Sequence, residues 1–159
     1  MLNVFVICTG NSCRSVMGEA LMSYLGQDRI KAFSAGSHSI GRINTNALAT
    51  LKRHDLPTEG YKSQSWEDFK DTPMDIVITV CDNAAGETCP VYLTKAVRAH
   101  WGVSDPRHAE EPGEEKLAAF EQTFATLKLR IEKMLELPFE TMPADELTIE
   151  LNKIGQLNT

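Results

Sequence analysis

Residues 2–15 read LNVFVICTGNSCRS, an apolar run followed by a polar loop that contains two cysteines and an arginine. Leu2 to Ile7 is almost unbroken in β-branched and aromatic residues, which is typical of a strand buried on both faces of a parallel sheet. Apolar residues at helical spacing follow from Val16 to Gly26. The stretch therefore predicts a strand, a loop and a helix in direct succession.

The rest of the chain alternates in the same way. Further strands are predicted at Ile30 to Ser34, Met74 to Val80 and Ala96 to Trp101. Further helices are predicted near Asn44 to His54, from Glu114 to Leu137 and from Asp145 to Ile154. We therefore expect a single α/β domain over residues 1–159, in which a four-stranded parallel sheet has helices on both faces. The active site of such a fold lies at the carboxyl ends of the strands.

The composition argues against a general surface for polyanions, so any anion must be bound at a local site. The chain has 159 residues, 42% of them hydrophobic, and a formal net charge of -6. Nucleic acids and bilayers are polyanionic, so we expect neither as a partner. We see no secretory signal and no apolar stretch of membrane-spanning length, which predicts a cytoplasmic protein, and we expect a monomer. In a reducing compartment, four irregularly spaced cysteines are expected to be reactive or buried.

The loop from Cys8 to Ser15 has the features of an anion-binding loop. A loop that opens into a helix can turn successive backbone N–H groups inward, where they and the helix dipole bind an anion. Gly10 and Asn11 tolerate the positive φ that such winding needs. The same field favours the thiolate of Cys8, and the Arg14 guanidinium can fork onto two oxygens of a tetrahedral oxyanion.

The alternative for Cys8 is a buried core cysteine, because a cysteine six positions before an arginine is weak evidence by itself. The preceding strand and the following helix favour a nucleophile. We therefore predict Cys8 and Arg14 as catalytic residues, and Ser15 as a residue that caps the helix or donates to the sulfur. The predicted substrate-binding residues are Thr9, Gly10, Asn11, Ser12, Cys13, Arg14 and Ser15, with the Cys13 sulfur packed behind the loop.

Several segments resemble the low-molecular-weight protein tyrosine phosphatase fold, and the loop variant CTGNSCRS is more similar to the arsenate reductases of that fold. The resemblance covers most of the chain and rests on residues 4–15, 17–20, 33–36, 81–90, 100–102 and 105–106. It implies reduction of arsenate to arsenite in arsenic detoxification, with phosphate or sulfate as substrate analogues. It also implies a potassium ion held by Asn11, Glu19 and Ser34, as in some similar reductases.

Two more cysteines lie in a segment of small and polar residues, Cys81 to Pro90, after the central strand. One alternative is that the two cysteines fall near one another by chance. Another is that they bind zinc, but their spacing does not suit a compact zinc site, and we predict no metal ligands. The resemblance implies a relay in which Cys81 attacks the sulfur of a Cys8–arsenic adduct and Cys89 then attacks Cys81. Thioredoxin, or glutaredoxin with glutathione, would reduce the final disulfide.

Asp105-Pro106 matches the general-acid position of the fold, where an aspartate protonates the departing oxygen. An isolated Asp-Pro pair is more often a turn. The phosphatases usually have a tyrosine soon after this pair, whereas this chain has Arg107-His108. A phosphatase that uses only Cys8, Arg14 and Asp105 stays open as an alternative, and so does a module that only binds an anion or senses oxidation.

Overall fold

The computed structural model describes residues 1–86, 90–108 and 114–159. Its strands are β1 (Leu2–Cys8), β2 (Ile30–Gly36), β3 (Ile76–Thr79) and β4 (Val97–His100). Its helices are α1 (Arg14–Gly26), α2 (Thr45–Arg53), α3 (Asp82–Gly86), α4 (Glu114–Leu135) and α5 (Ala144–Ile154). Short 3-10 turns lie at Gln27–Arg29, Trp66–Phe69, Val91–Leu93 and Pro106–His108.

The four strands form one parallel sheet in the order β2-β1-β3-β4. Strand β1 lies in the interior of the sheet, where Val6 is paired with Ser34 on one side and Ile78 on the other. Val4 to Ile7 are buried on both faces, which explains why this strand has no polar alternation. The predicted four-stranded parallel α/β fold is confirmed.

The two faces of the sheet are covered by different elements, because successive side chains of a strand point in opposite directions. Val6 faces α1 so closely that a Cβ on Gly18 would lie 3.0 Å from its Cγ1. Phe5 points the other way and meets the ring of Phe69 with centroids 5.0 Å apart. Helix α1 packs in turn against α2 and α4, while α5 packs along β4.

The long helix α4 buries the stripe of apolar residues that the sequence pattern predicts. Phe120, Phe124, Leu127, Ile131 and Met134 are all buried, whereas Leu117 is partly exposed. The helix ends at Leu135, two residues before the predicted end. The chain tightens there, since Leu137 N donates to Met134 O just ahead of Pro138, which restricts the backbone that precedes it.

Several element boundaries near the carboxyl ends of the strands differ from the prediction; β3 and β4, for example, each end one residue before the predicted end. Helix α1 begins at Arg14 instead of Val16, so its first turn is part of the anion loop. Strand β2 continues to Gly36 because it stays paired with β1 up to Cys8. The segment after Cys81, where no helix was predicted, begins as helix α3, and Ala84 N donates to the Cys81 sulfur.

Over the residues that the structure describes, no helix is long and apolar enough to cross a membrane.

Candidate active site

The anion loop runs from the end of β1 into the first turn of α1, and the segment after β2 holds it from outside. The carbonyl oxygens of Thr9, Gly10 and Ser12 accept hydrogen bonds from the backbone N–H groups of His38, Ile40 and Asn44. With these carbonyls turned outward, the winding of the loop suits the inward N–H arrangement of an anion nest. The sequence pattern did not reveal this outer segment.

Asn11 braces the loop from inside. Its φ is 48°, as predicted for this position, while Gly10 is not among the residues with positive φ. The Asn11 amide nitrogen donates to Ser15 Oγ at 2.8 Å and to Ser34 Oγ at 3.0 Å, and its oxygen accepts from Gln64 N at 2.8 Å. Asn11 and Ser15 are completely buried, so they shape the loop instead of lining its mouth. Ser15 is not the helix cap.

Cys8 and Cys81 lie next to each other at the ends of adjacent strands, close enough for each side chain to shift the pKa of the other. The Cys81 sulfur accepts from Thr9 N at 3.3 Å and from Ala84 N at 3.4 Å. Donation from Cys8 and from these groups lowers the pKa of Cys81 to about 5. Its role as donor to Cys81, together with burial, raises the pKa of Cys8.

The two neighbouring sulfurs shift each other's pKa in opposite directions. The Cys8 thiolate stays a prediction, because the neighbouring Cys81 sulfur and burial raise the pKa of Cys8. Both cysteines are only 4% exposed, so burial opposes ionisation of each thiol. The positive charge of Arg14 acts in the other direction and favours ionisation of Cys8.

Arg14 and Asp105 meet across the mouth of the loop. Arg14 Nη1 donates to Val103 O at 3.1 Å, and its Nη2 lies 3.4 Å from Asp105 Oδ2. Asp105 is also bound by Arg107, whose Nη2 lies 2.8 Å from the same oxygen. Burial opposes ionisation of Asp105, but the hydrogen bonds of Arg107 and the two positive charges outweigh it and lower the pKa of the carboxyl.

An open cavity of about 450 Å³ lies over these groups. Of the predicted substrate-binding residues, Thr9, Gly10 and Arg14 line it, while Ser12 and Cys13 are buried beneath. Burial raises the pKa of Cys13 to about 12, which suits the packing role predicted for its sulfur. The cavity is also lined by Arg107, which the sequence showed only as a departure from tyrosine, and by residues to which no role was assigned: His38, Ile40, Asp82, Val103 and Ser104.

Cys89 lies outside the described residues, so its predicted place in the relay stays a prediction. Cys8, Cys13 and Cys81 are all free thiols in this structure. Over the described residues, no group of three or more His, Cys, Asp or Glu side chains is arranged to hold a metal ion.

The residues predicted to hold potassium form a hydrogen-bonded chain. Ser34 Oγ donates to Glu19 Oε1 at 2.5 Å and accepts from the Asn11 amide nitrogen, while the Asn11 oxygen faces Gln64 N. Potassium needs oxygen ligands, and Asn11 turns its nitrogen toward this group. Glu19 and Ser34 present oxygens to such an ion whereas Asn11 does not, so potassium stays a prediction and we assign it no part in the chemistry.

Comparison with known proteins agrees with this geometry. Residues 3–146 match the model of the family described as low molecular weight phosphotyrosine protein phosphatase. The chain belongs to this family. Within the low molecular weight phosphatase family, it is 35% identical over 134 residues to an arsenate reductase of Halalkalibacterium halodurans, covering 84% of this chain and 94% of that protein. It is 34% identical to an arsenate reductase of Bacillus subtilis over the same shares.

Solved structures of the family have the same fold. An arsenate reductase in the phosphate binding state superposes with a TM-score of 0.71 at 27% identity, covering 86% of this chain and 98% of that one. The tyrosine phosphatase amsI of Erwinia amylovora superposes with a TM-score of 0.66 at 22% identity, over 86% and 93% of the two chains. The second likeness shows the shared fold alone.

Proposed function

We propose that this protein reduces arsenate to arsenite. The observation that carries the proposal is the contact between the side chains of Cys8 and Cys81 at the floor of an oxyanion loop. Reduction of a bound oxyanion needs two electrons, and two neighbouring thiols supply them by forming a disulfide. The arsenate reductases from Halalkalibacterium halodurans and Bacillus subtilis, at about 35% identity, support the same activity.

In the first step, arsenate binds in the loop with Arg14 against two of its oxygens. The Cys8 sulfur attacks arsenic, and one oxygen departs as water after taking a proton from Asp105. For this step Cys8 must lose its proton, which the charge of Arg14 favours. The product is a Cys8–arsenic thioester-like adduct with arsenic still in the As(V) state.

In the second step, the Cys81 thiolate attacks the Cys8 sulfur. The Cys8–Cys81 disulfide forms, the sulfur–arsenic bond breaks, and its electron pair remains on arsenic, which leaves as arsenite, As(III). Cys8 is then bonded to arsenic and no longer donates to Cys81. Thr9 N and Ala84 N still donate to the Cys81 sulfur, however, and favour the thiolate that this step needs. Cys89 then attacks Cys81 and releases Cys8 as a thiolate, and an external thiol system reduces the Cys81–Cys89 disulfide.

Hydrolysis of phosphomonoesters is not favoured as the main activity. A phosphatase would need Cys8, Arg14 and Asp105 but would have no use for a second sulfur in contact with its nucleophile. The residue after Asp105-Pro106 is Arg107, where the phosphatases usually have a tyrosine nearby. We propose a cytoplasmic protein recycled by thioredoxin or by glutaredoxin with glutathione, since its free thiols need a reducing compartment.

The test is arsenite production from arsenate by the purified protein, with each of the two reducing systems in parallel. Cys8→Ser should abolish turnover, and Cys81→Ser should also abolish it while still binding inorganic phosphate, which shows that the loop is intact. Undiminished arsenite production by Cys8→Ser contradicts the proposal. Hydrolysis of an aryl phosphate that survives Cys81→Ser, with no arsenite from the unaltered protein, identifies a phosphatase.

A further inference from the structure

Arg107 connects the general acid to the anion loop. Its Nε lies 3.1 and 3.2 Å from the two carboxylate oxygens of Asp105, and its Nη2 lies 2.8 Å from Oδ2. The remaining nitrogen, Nη1, donates to Ser12 Oγ at 3.2 Å, within the loop itself. One guanidinium therefore spans from the predicted acid to the oxyanion site.

Two cations converge on the same oxygen of Asp105. Arg14 Nη2 is 3.4 Å and Arg107 Nη2 is 2.8 Å from Oδ2. The Asp105 side chain is 10% exposed, so this contact is only weakly screened by water. The carboxylate thus stands beside both guanidinium groups in the position of a counter-ion, at the mouth of a site that is built for an anion.

This resting arrangement conflicts with the task of a general acid. A carboxyl held by two cations stays ionised, and an ionised carboxylate has no proton to give to the departing oxygen. The conflict disappears when the cations acquire a better partner. A tetrahedral oxyanion with two negative charges is such a partner for guanidinium groups.

We propose that Asp105 is the resting counter-ion of Arg107, and that the incoming oxyanion takes Arg107 over as its second guanidinium ligand beside Arg14. The exchange frees Asp105 from its strongest partner at the moment when the oxyanion needs a proton. Arg107 lines the cavity with its side chain 35% exposed, which leaves it room to turn from the carboxylate to the ligand. Arg107 is thus a binding and positioning residue that couples oxyanion binding to protonation of Asp105.

The inference rests on the proposed function only in taking a tetrahedral oxyanion as the ligand. Inorganic phosphate is therefore the probe, and no turnover is needed. Calorimetric titration with phosphate at neutral pH should show binding about tenfold weaker in Arg107→Gln, and about threefold weaker in Arg107→Lys, which keeps the charge but loses the fork. Arg98→Gln is the charge-matched control, since Arg98 lies on β4 and lines a different cavity, and its affinity should stay within about twofold.

The second readout is the pKa of Asp105, followed by carboxyl carbon NMR with and without phosphate. In the unaltered protein this pKa should rise when phosphate binds, and in Arg107→Gln it should already be raised and should change less. An equal rise in both proteins, or phosphate affinity that is the same in Arg107→Gln and Arg98→Gln, overturns the exchange. If Arg107→Gln does not fold, the same comparison with Arg107→Lys decides. Arginine-dependent phosphate binding without arsenite production would refute the reductase and leave this inference standing.

Discussion

At the scale of single residues, the chemistry depends on the neighbouring thiols of Cys8 and Cys81. The pKa of Cys81 is lowered and that of Cys8 is raised, because the Cys8 thiol acts as donor to the Cys81 sulfur. The surroundings of Cys81 therefore favour the resolving thiolate before the substrate arrives. Oxyanion binding then has to promote only the loss of the Cys8 proton, which the positive charge of Arg14 already favours.

The two pKa shifts predict how stability depends on pH. Cys81 has a pKa of about 5 when folded and an ordinary, higher pKa when unfolded, so its contribution to stability is present at alkaline pH and is lost as the pH falls through 5. The pKa of Cys8 is raised in the folded state. Above the ordinary thiol pKa the unfolded chain therefore ionises more readily, and the free energy of unfolding falls. The pair therefore makes its largest contribution near the ordinary thiol pKa.

Urea unfolding under reducing conditions, from mildly acidic to alkaline pH, measures this dependence. The free energy of unfolding of the unaltered protein minus that of Cys81→Ser should rise with pH above 5, because the variant lacks the titrating thiolate. Cys13→Ser is the matched control and should show no such rise, as its thiol has a pKa of about 12 in the folded state. A difference that is flat with pH would show that Cys81 is not a thiolate in the reduced protein.

The roles of single residues were predictable from the sequence where those residues lie together in one local pattern. Cys8 and Arg14 were singled out because strand, loop and helix are consecutive in the chain. Arg107 was seen only as a departure from tyrosine, because its importance depends on the loop after β4 folding back to place it against Ser12. The lowered pKa of Cys81 depends likewise on a hydrogen bond from Thr9 N, which is distant in sequence.

At the scale of elements, the end of β2 supports the anion loop. Gly36 pairs with Cys8 across the two strands, and its N–H donates to Gln64 O. A Cβ at Gly36 would lie 2.4 Å from Thr9 O and 3.1 Å from Asn11 N. The backbone of the loop therefore approaches β2 as closely as it does only because residue 36 has no side chain.

Replacing Gly36 with alanine should displace the loop. We expect the free energy of unfolding to fall by about 2 kcal/mol, since backbone atoms cannot yield as a flexible side chain does. Phosphate affinity should fall by about tenfold or more, because the nest loses its geometry. Thermal unfolding and phosphate calorimetry measure the two effects. Gly86→Ala is the stability control, as a Cβ there meets nothing within 4 Å; equal stability of the two variants would refute the argument.

The elements themselves were largely readable from apolar periodicity, since the strands and the long helix each bury a continuous pattern. The predictions that failed concern the ends of these elements. Helix α3 was missed because five residues are too few to show a periodic apolar pattern. Its hydrogen bond from Ala84 N to the Cys81 sulfur is a contact that apolar periodicity does not predict. The early start of α1 was missed because Arg14 and Ser15 carry polar side chains into its first turn.

At the scale of the whole molecule, one buried arginine links the C-terminal tail to the active-site edge of the sheet. Arg130 of α4 is 2% exposed, and burial lowers the pKa of its guanidinium. Its Nη1 donates to Trp101 O at 2.7 Å and to Gly102 O at 3.2 Å, and its Nε donates to Leu157 O at 3.0 Å. These carbonyls belong to the segment that leads to Asp105 and to the end of the chain.

Arg130→Met should therefore destabilise the protein and loosen both segments that the guanidinium holds. We expect a loss of about 3 kcal/mol in the free energy of unfolding, because buried carbonyls lose charged donors while the methionine keeps much of the packing. Hydrogen exchange should become faster at residues 101–103 and 155–159 and stay slow in β1, whose bonds are independent of Arg130. Lys133→Met removes an exposed cation from the same helix and should change stability by no more than about 0.5 kcal/mol. If the two variants are equally stable, Arg130 does not join the tail to the sheet, and the active-site loop must be held by its local contacts alone.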